Sequence, residues 1–110
     1  MILKDQPVGE VTVVEVDGRV DSANAPKLED HVAALIRGGK KSVLLDLAKV
    51  EYISSAGFRT LLLLARQAGE AQSRFALCSL TPKVHRLFDM GGFLDLLPIA
   101  QTREEGLSAK

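Results

Sequence analysis

The sequence predicts an α/β domain built on a single mixed, mostly parallel β-sheet of four to five strands with about four helices. Strand-like and helix-like stretches alternate along most of the 110 residues, which favours crossover connections between parallel strands. SVLLDL is a predominantly apolar run of strand length, as expected of a central strand buried on both faces. Two β-rich stretches precede the first helix, and their hairpin makes the sheet mixed. We expect the order β-β-α-β-α-β-α-β-α in one domain over residues 1–110.

The N-terminal part of the chain is predicted to form two strands and a helix. MILK is expected to be a short first strand, followed by a turn at Pro7–Gly9. VTVVEVDG is rich in β-branched residues and is expected to end at Asp17-Gly18. The helix that follows has Ser22 or Asn24 as its candidate cap and Gly38-Gly39 as its end.

The helix that starts at Ser55 carries more apolar residues than one helix face needs. Its main stripe comprises Phe58, Leu61, Leu62, Ala65 and Ala68. Leu63 and Leu64 widen that stripe, so we expect a helix that is buried on most sides.

Turn and cap residues mark the ends of the elements in the C-terminal third of the chain. RFALCSL is predicted to be a strand, and Thr81 is predicted to cap a third helix that ends at Gly91-Gly92. FLDLLPIA holds a further short strand. Thr102 and Glu105 have the spacing of a capping box, which indicates a last short helix.

Composition and charge exclude several function classes. Lysine and arginine together balance aspartate and glutamate, so the formal net charge is zero. A neutral chain lacks the basic surface that nucleic acid or an anionic membrane would attract. The N-terminal residues do not resemble a signal peptide, and no apolar run is long enough to cross a bilayer. The single Cys78 is interpreted as a buried core thiol. We expect a cytoplasmic protein.

Catalytic and metal-binding patterns are absent from the sequence. ISSAG resembles the hydrolase elbow G-x-S-x-G superficially, but Ile53 stands where the strained turn needs glycine. His31 and His85 are interpreted as solvated helix residues. No cluster has metal-ligand spacing, and there is neither a Walker loop nor a dinucleotide fingerprint. We therefore expect no enzyme, no cofactor and no metal, and we disfavour a serine hydrolase.

The double serine before the second helix offers a different chemistry. Ser55 as the helix cap would present its hydroxyl at a fixed place, and Gly57 has no side chain to cover that turn. A phosphoryl group at a helix N-terminus is tolerated because free amides and the helix dipole favour an anion. It would add bulk and up to about two negative charges, which disrupts an interface built around a bare serine. The simpler alternative is a cap with no further role.

Three segments of the chain resemble the STAS domain family, and within it the stand-alone anti-sigma factor antagonists of bacteria. VDGRVDSANAPKLE is similar to the family's second strand, turn and first helix. SVLLDLAKVEYISSAGFRTLLLL is similar to its apolar strand and phosphorylation segment. TPKVHRLFDMGGFLDLLPI resembles the third helix and last strand of the sporulation-type antagonist. The resemblance covers nearly the whole chain and implies a STAS-like fold.

The resemblance assigns site residues one by one. The family's phosphorylated serine falls on Ser55, with Ser54 as an alternative acceptor in the place of the family's frequent aspartate. The family's aspartate after the second strand falls on Asp21, which could equally be a capping residue only. Arg59 lies one turn after Ser55 on the same side, so the partner-binding surface is expected to comprise Asp21, Ser54, Ser55, Gly57 and Arg59.

The family implies a partner-switching regulator and not an enzyme. Its unphosphorylated antagonist binds an anti-sigma factor with serine kinase activity, which frees a sigma factor. Phosphorylation releases that partner, and a PP2C-type phosphatase restores the antagonist. The alternative within the family is an accessory STAS subunit of an ABC-type lipid transporter, which the LFDMGGF run disfavours.

Overall fold

The computed structural model describes residues 1–108 and has the predicted order of elements. The strands are β1 (Ile2–Val8), β2 (Val11–Val20), β3 (Ser42–Ile53), β4 (Arg74–Cys78) and β5 (Ile99–Ala100). The helices are α1 (Ala25–Arg37), α2 (Ser55–Glu70), α3 (Pro82–Met90) and α4 (Arg103–Ser108). The predicted α/β class and the mixed sheet are therefore confirmed. Within residues 1–108, no helix has both the length and the hydropathy needed to span a membrane.

The strands follow one another across the sheet in sequence order, β1-β2-β3-β4-β5. The β1–β2 hairpin is antiparallel, and β2 to β5 run parallel. Each parallel crossover moves one strand further in the same direction. Because such crossovers are right-handed, they bring α1, α2 and α3 to the same face of the sheet.

The main core lies between that face and the three helices. Its members are almost fully buried aliphatic residues of β2 and β3 together with helix residues such as Leu28, Leu61 and Phe88. The predicted inward positions Phe58 and Leu61 are confirmed, with exposed fractions of 6% and 1%. The β3 run SVLLDL is buried from Val43 to Leu47, as expected of a central strand.

Both strands of the hairpin are longer than predicted. Pro7 and Val8 belong to β1, and the turn is Gly9-Glu10, with Gly9 at a φ of +61°. Proline is accepted here because β1 is an edge strand. Likewise β2 does not end at Asp17-Gly18 but continues to Val20, since register shifts around these residues accommodate the glycine at a φ of +113°.

The expectation that α2 is buried on most sides is wrong. Leu64 is fully buried, but Leu63 is 37% exposed, and Leu62 and Ala65 are only half-buried. α2 packs on one face of the sheet beside α1, so its outer side faces solvent. Leu63 is thus an exposed leucine that periodicity alone assigned to the interior.

The predicted caps of the last two helices are confirmed. The Thr81 hydroxyl accepts a hydrogen bond of 3.2 Å from the backbone N–H of Val84. Thr102 accepts one of 3.1 Å from the N–H of Glu105. The Glu105 carboxylate accepts in return from Gln101, one residue before the position that a regular capping box uses.

Candidate functional site

The β2–α1 and β3–α2 connections lie side by side at the carboxyl ends of the two strands. Val20 and Ile53 are paired at the end of the β2–β3 ladder. One step further, the backbone N–H of Ser54 donates a 2.9 Å hydrogen bond to the carbonyl of Val20. This bond holds the turn that contains Asp21 next to the start of α2.

Ser54, and not Ser55, is the N-cap of α2. Ser54 has extended backbone angles, and its hydroxyl oxygen accepts a 3.3 Å hydrogen bond from the N–H of Gly57. Its carbonyl begins the helix by accepting from the N–H of Phe58 at 3.0 Å. The expectation that Ser55 caps the helix is therefore wrong by one position.

The shift in the cap gives the two serines different environments. Ser54 is half-buried and its oxygen is engaged, whereas Ser55 is exposed as the first residue of the helix. At that position a side chain stands beside the N-terminal amides, where the helix dipole favours negative charge. Of the two serines, Ser55 is therefore the more exposed, and its hydroxyl does not cap the helix.

Gly57 is buried and faces the ends of β2 and β3, not solvent. A Cβ atom there would lie 2.7 Å from Cγ2 of Ile53 and 3.0 Å from Cγ1 of Val20. The first of these contacts is closer than real Cβ atoms approach, and the second is unusually tight. The sequence interpretation, in which the missing side chain leaves the surface open, is thus corrected: glycine is needed because α2 approaches the strand ends closely.

Asp21 organises the turn between β2 and α1. One carboxylate oxygen accepts from the N–H groups of Ala23 and Asn24 at 3.0 and 3.2 Å. The Asn24 side chain accepts from the N–H of Asp21 at 2.9 Å and donates to the carbonyl of Arg19 at 2.8 Å. Asn24 precedes α1 but makes no capping hydrogen bond to it. Asp21 is half-buried, and these hydrogen bonds use one of its carboxylate oxygens to hold the turn.

Arg59 is exposed on α2 and lines a groove of 220 Å³ between the starts of α1 and α2. Pro26 and Glu29 contribute to the α1 side of this groove, and the exposed Leu63 lies on the α2 side. The groove, which begins within a turn of Ser55, therefore combines an arginine with an exposed aliphatic residue. The sequence analysis found Arg59 but assigned Leu63 to the core.

A cluster of three phenylalanine rings underlies the first turns of α2. The Phe58 ring stacks on Phe93, with centroids 4.4 Å apart, and meets Phe88 edge-on at 4.8 Å. These contacts tie α2 to α3 and to the segment that follows α3. Phe93 belongs to the LFDMGGF run, so the motif that carried part of the family resemblance supports the helix that begins at Ser55.

A cation–π contact at the same end of the sheet was not predicted. The guanidinium carbon of Arg19 lies 4.6 Å from the centre of the Tyr52 ring. The two residues are paired across β2 and β3, but the register shifts in β2 hide that pairing from the sequence.

The histidines and the cysteine lie apart from this surface. His31 is half-buried, and its Nε2 lies 2.7 Å from a carboxylate oxygen of Asp5, whereas His85 is exposed as predicted. Cys78 is fully buried, and burial raises the pKa of its thiol above the ordinary range. Across residues 1–108, no three His, Cys, Asp or Glu side chains converge in a way that could hold a metal ion.

The fold and the matching sequence pattern define the class of this protein. The family model described as "STAS domain" matches residues 4–106, and the chain belongs to that family. The resemblance drawn from the three sequence segments is confirmed.

Individual proteins of known sequence or structure are also similar to this chain. The chain is 44% identical over 94 residues to BtrV of Bordetella bronchiseptica, whose assigned role is that of an anti-sigma factor antagonist; the match covers 86% of this chain and 81% of BtrV. The crystal structure of an anti-sigma factor antagonist from Mycobacterium paratuberculosis has the same fold, with a TM-score of 0.87 and 24% identity over 97% of this chain and 91% of that one. The antagonist SpoIIAA in its unphosphorylated form superposes with a TM-score of 0.79 and 18% identity, over 96% and 93% of the two chains.

Proposed function

We propose that this protein is an anti-sigma factor antagonist that acts by partner switching. In the unphosphorylated state it binds an anti-sigma factor with serine kinase activity, and so frees a sigma factor. The kinase phosphorylates Ser55, which releases the antagonist, and a PP2C-type phosphatase restores it. The protein acts through binding and is a substrate of these enzymes.

One observation carries the proposal: the two adjacent serines have different environments. Ser54 is occupied as the cap of α2, while Ser55 is exposed at the helix N-terminus, within a chain 44% identical to BtrV. A phosphate on Ser55 would be accommodated by the helix end. It would nevertheless place charge and bulk at the centre of the surface formed by Asp21, Ser54, Ser55 and Arg59.

The partner surface is proposed to extend from Ser55 into the groove beside Arg59. Arg59 supplies a charged contact and Leu63 an apolar one, and both are exposed on α2. Gly57 is buried below this surface, and its lack of a side chain allows the start of α2 to pack against Val20 and Ile53. Asp21 contributes by fixing the neighbouring turn.

The test is reconstitution with the anti-sigma factor kinase encoded in the same genome. The wild-type protein should bind it, gain one phosphate when ATP is added, and then dissociate. Ser55→Ala should bind and remain bound in ATP. Intact-mass measurement reports the phosphorylation, and size-exclusion chromatography reports binding and dissociation. If none of the candidate kinases from that genome binds the unmodified chain, the proposal is refuted.

A further inference from the structure

The sheet face opposite α1, α2 and α3 is covered by one short helix. Val13, Leu44 and Cys78 form a separate buried cluster there, with exposed fractions of 0%, 1% and 0%. α4 packs on this cluster through the half-buried Leu107. No described residue of α4 is itself buried, and a helix of this length is not stable without tertiary contacts.

α4 is fastened by a charged cluster at its first residue. The guanidinium of Arg103 donates to Asp46 at 2.9 Å, to Glu15 at 2.7 Å and to the side-chain oxygen of Gln6 at 3.2 Å. These hydrogen bonds to Glu15 and Asp46 raise the pKa of Arg103. Lys49 lies 3.9 Å from the other carboxylate oxygen of Glu15. One side chain thus connects α4 to three strands, β1, β2 and β3.

A second apolar contact of α4, beside that of Leu107, is tight but small. Gly106 sits directly on Leu44: a Cβ atom at Gly106 would lie 2.8 and 2.9 Å from the two methyl carbons of Leu44. The helix is therefore held by a polar attachment at its start and by the apolar contacts of Gly106 and Leu107 near its end. Neither attachment involves α1, α2 or α3.

We propose that α4 is a displaceable cover, latched by Arg103, which opens without unfolding the sheet and exposes a second docking surface. The opened surface would present the apolar side chains of Val13 and Leu44 beside the carboxylates of Glu15 and Asp46. Because both carboxylates lose the guanidinium of Arg103 when α4 leaves, the surface favours a basic replacement. The occupant we infer is a short helix of a partner protein that carries an arginine followed by small and aliphatic residues, as α4 itself does.

This surface is separate from the one beside Ser55, and the inference does not depend on the proposed partner switch. The buried Cys78 reports directly on the cover, since it is the single cysteine of the chain and its thiol lies near Asp46, Arg103 and Glu104, which influence its pKa. A thiol reagent can reach it only when the cover over this end of β4 opens locally or when the whole domain unfolds, and the Arg103 and Gly106 variants below show whether α4 is that cover.

The experiment is thiol labelling of the full chain with an aromatic disulfide reagent across a urea series below the unfolding transition. The urea dependence of an opening scales with the surface that it exposes. Opening of α4 alone therefore predicts a labelling rate that is nearly independent of urea at low concentration and rises steeply only near the transition. A rate that follows global unfolding down to zero urea overturns the proposal.

Arg103→Met tests the latch. We expect labelling at low urea to accelerate about tenfold or more, equivalent to roughly 1.4 kcal/mol in the free energy of opening, while the shallow urea dependence persists. Arg66→Met, which removes an exposed arginine from α2, should label at the wild-type rate. Equal rates for Arg103→Met and wild type would overturn the role of Arg103.

Gly106→Ala opens the cover without changing any charge. Its Cβ would lie 2.8 Å from a methyl carbon of the buried Leu44, so either Leu44 or α4 must move; we expect α4 to move and labelling to accelerate. The matched Gly69→Ala in α2 adds a Cβ with no atom within 4 Å and should label at the wild-type rate. Docking is tested by adding a peptide of residues 101–108 in excess to Arg103→Met. Slower labelling, abolished when the peptide's arginine is replaced by glutamine, supports the surface; no protection by the arginine peptide overturns it.

Discussion

The hydroxyl oxygen of Ser54 accepts a hydrogen bond from the N–H of Gly57 at 3.3 Å, and this bond distinguishes the two adjacent serines. It makes Ser54 part of the helix start and leaves Ser55 exposed as the first helical residue. The same Gly57 packs against Ile53 and Val20. The position of the exposed hydroxyl is therefore fixed by backbone contacts with the core.

Ser55 is predicted to be the phosphoacceptor. Ser55→Ala should abolish phosphorylation by the cognate kinase, while Ser54→Ala should keep the acceptor and lose about 1 kcal/mol of stability with its cap. Phosphopeptide mapping and urea unfolding measure the two effects. Phosphate found mainly on Ser54, or incorporation that survives Ser55→Ala, would contradict the assignment.

Ser55→Asp is predicted to fold normally and to bind the partner poorly. A carboxylate at the first helical position interacts favourably with the helix dipole, by about 0.3–1 kcal/mol. Binding should fall because the interface must desolvate the new charge. Circular dichroism and titration calorimetry separate folding from binding, with Ser55→Ala as the control; equal affinities of the two variants would refute the switch.

Gly57→Ala is predicted to destabilise the protein although alanine is the better helix former. The added Cβ would lie 2.7 Å from the Ile53 side chain, and overpacking of this kind costs about 1–3 kcal/mol. Gly69→Ala, in the same helix with free space around the new Cβ, should be neutral or stabilising. Urea midpoints compare the pair, and equal stabilities would contradict the close approach of α2 to the strand ends.

The element order could be predicted because caps, breakers and apolar spacing act locally. Thr81 and Thr102 cap the helices that the sequence indicated, and SVLLDL is the buried centre of β3. Strand ends depended on the partner strand: the β2–β3 ladder carries β2 past Gly18 to Val20, which local turn signals do not reveal.

The candidate site was predicted in its residues but not in its geometry. The pattern SSAG identified the two serines, while the choice of Ser54 as the cap depends on its backbone hydrogen bond to Val20. The exposure of Leu63 follows from the way α2 lies beside α1, which periodicity cannot show. The Arg103 cluster joins residues as far apart in sequence as Gln6 and Arg103, and no short motif marks it.

Cys78 is predicted to make stability fall at alkaline pH. Burial raises the pKa of its thiol, so above about pH 8.5 the thiol ionises in the unfolded chain before it does so in the folded one. The stability that the buried, protonated thiol contributes is complete below that pH. It is lost as the pH rises towards the pKa of the thiol in the folded protein. The stability difference between wild type and Cys78→Ala should shrink between pH 7 and pH 9.5 in urea unfolding; a constant difference would contradict it.

Arg59→Glu is predicted to weaken partner binding and to leave the melting temperature nearly unchanged. Arg59 is exposed and lies one turn after Ser55, on the groove between α1 and α2. Reversing its charge removes an attraction at the proposed interface and brings a carboxylate near Glu29 on the opposite side of that groove. Arg66→Glu makes the same charge change on α2 but outside the groove, so it serves as the matched control. Binding assays at low salt and thermal melts measure both variants. Unfolding of Arg59→Glu, or equal partner affinity for the two variants, would mean that the functional surface lies on another side of α2.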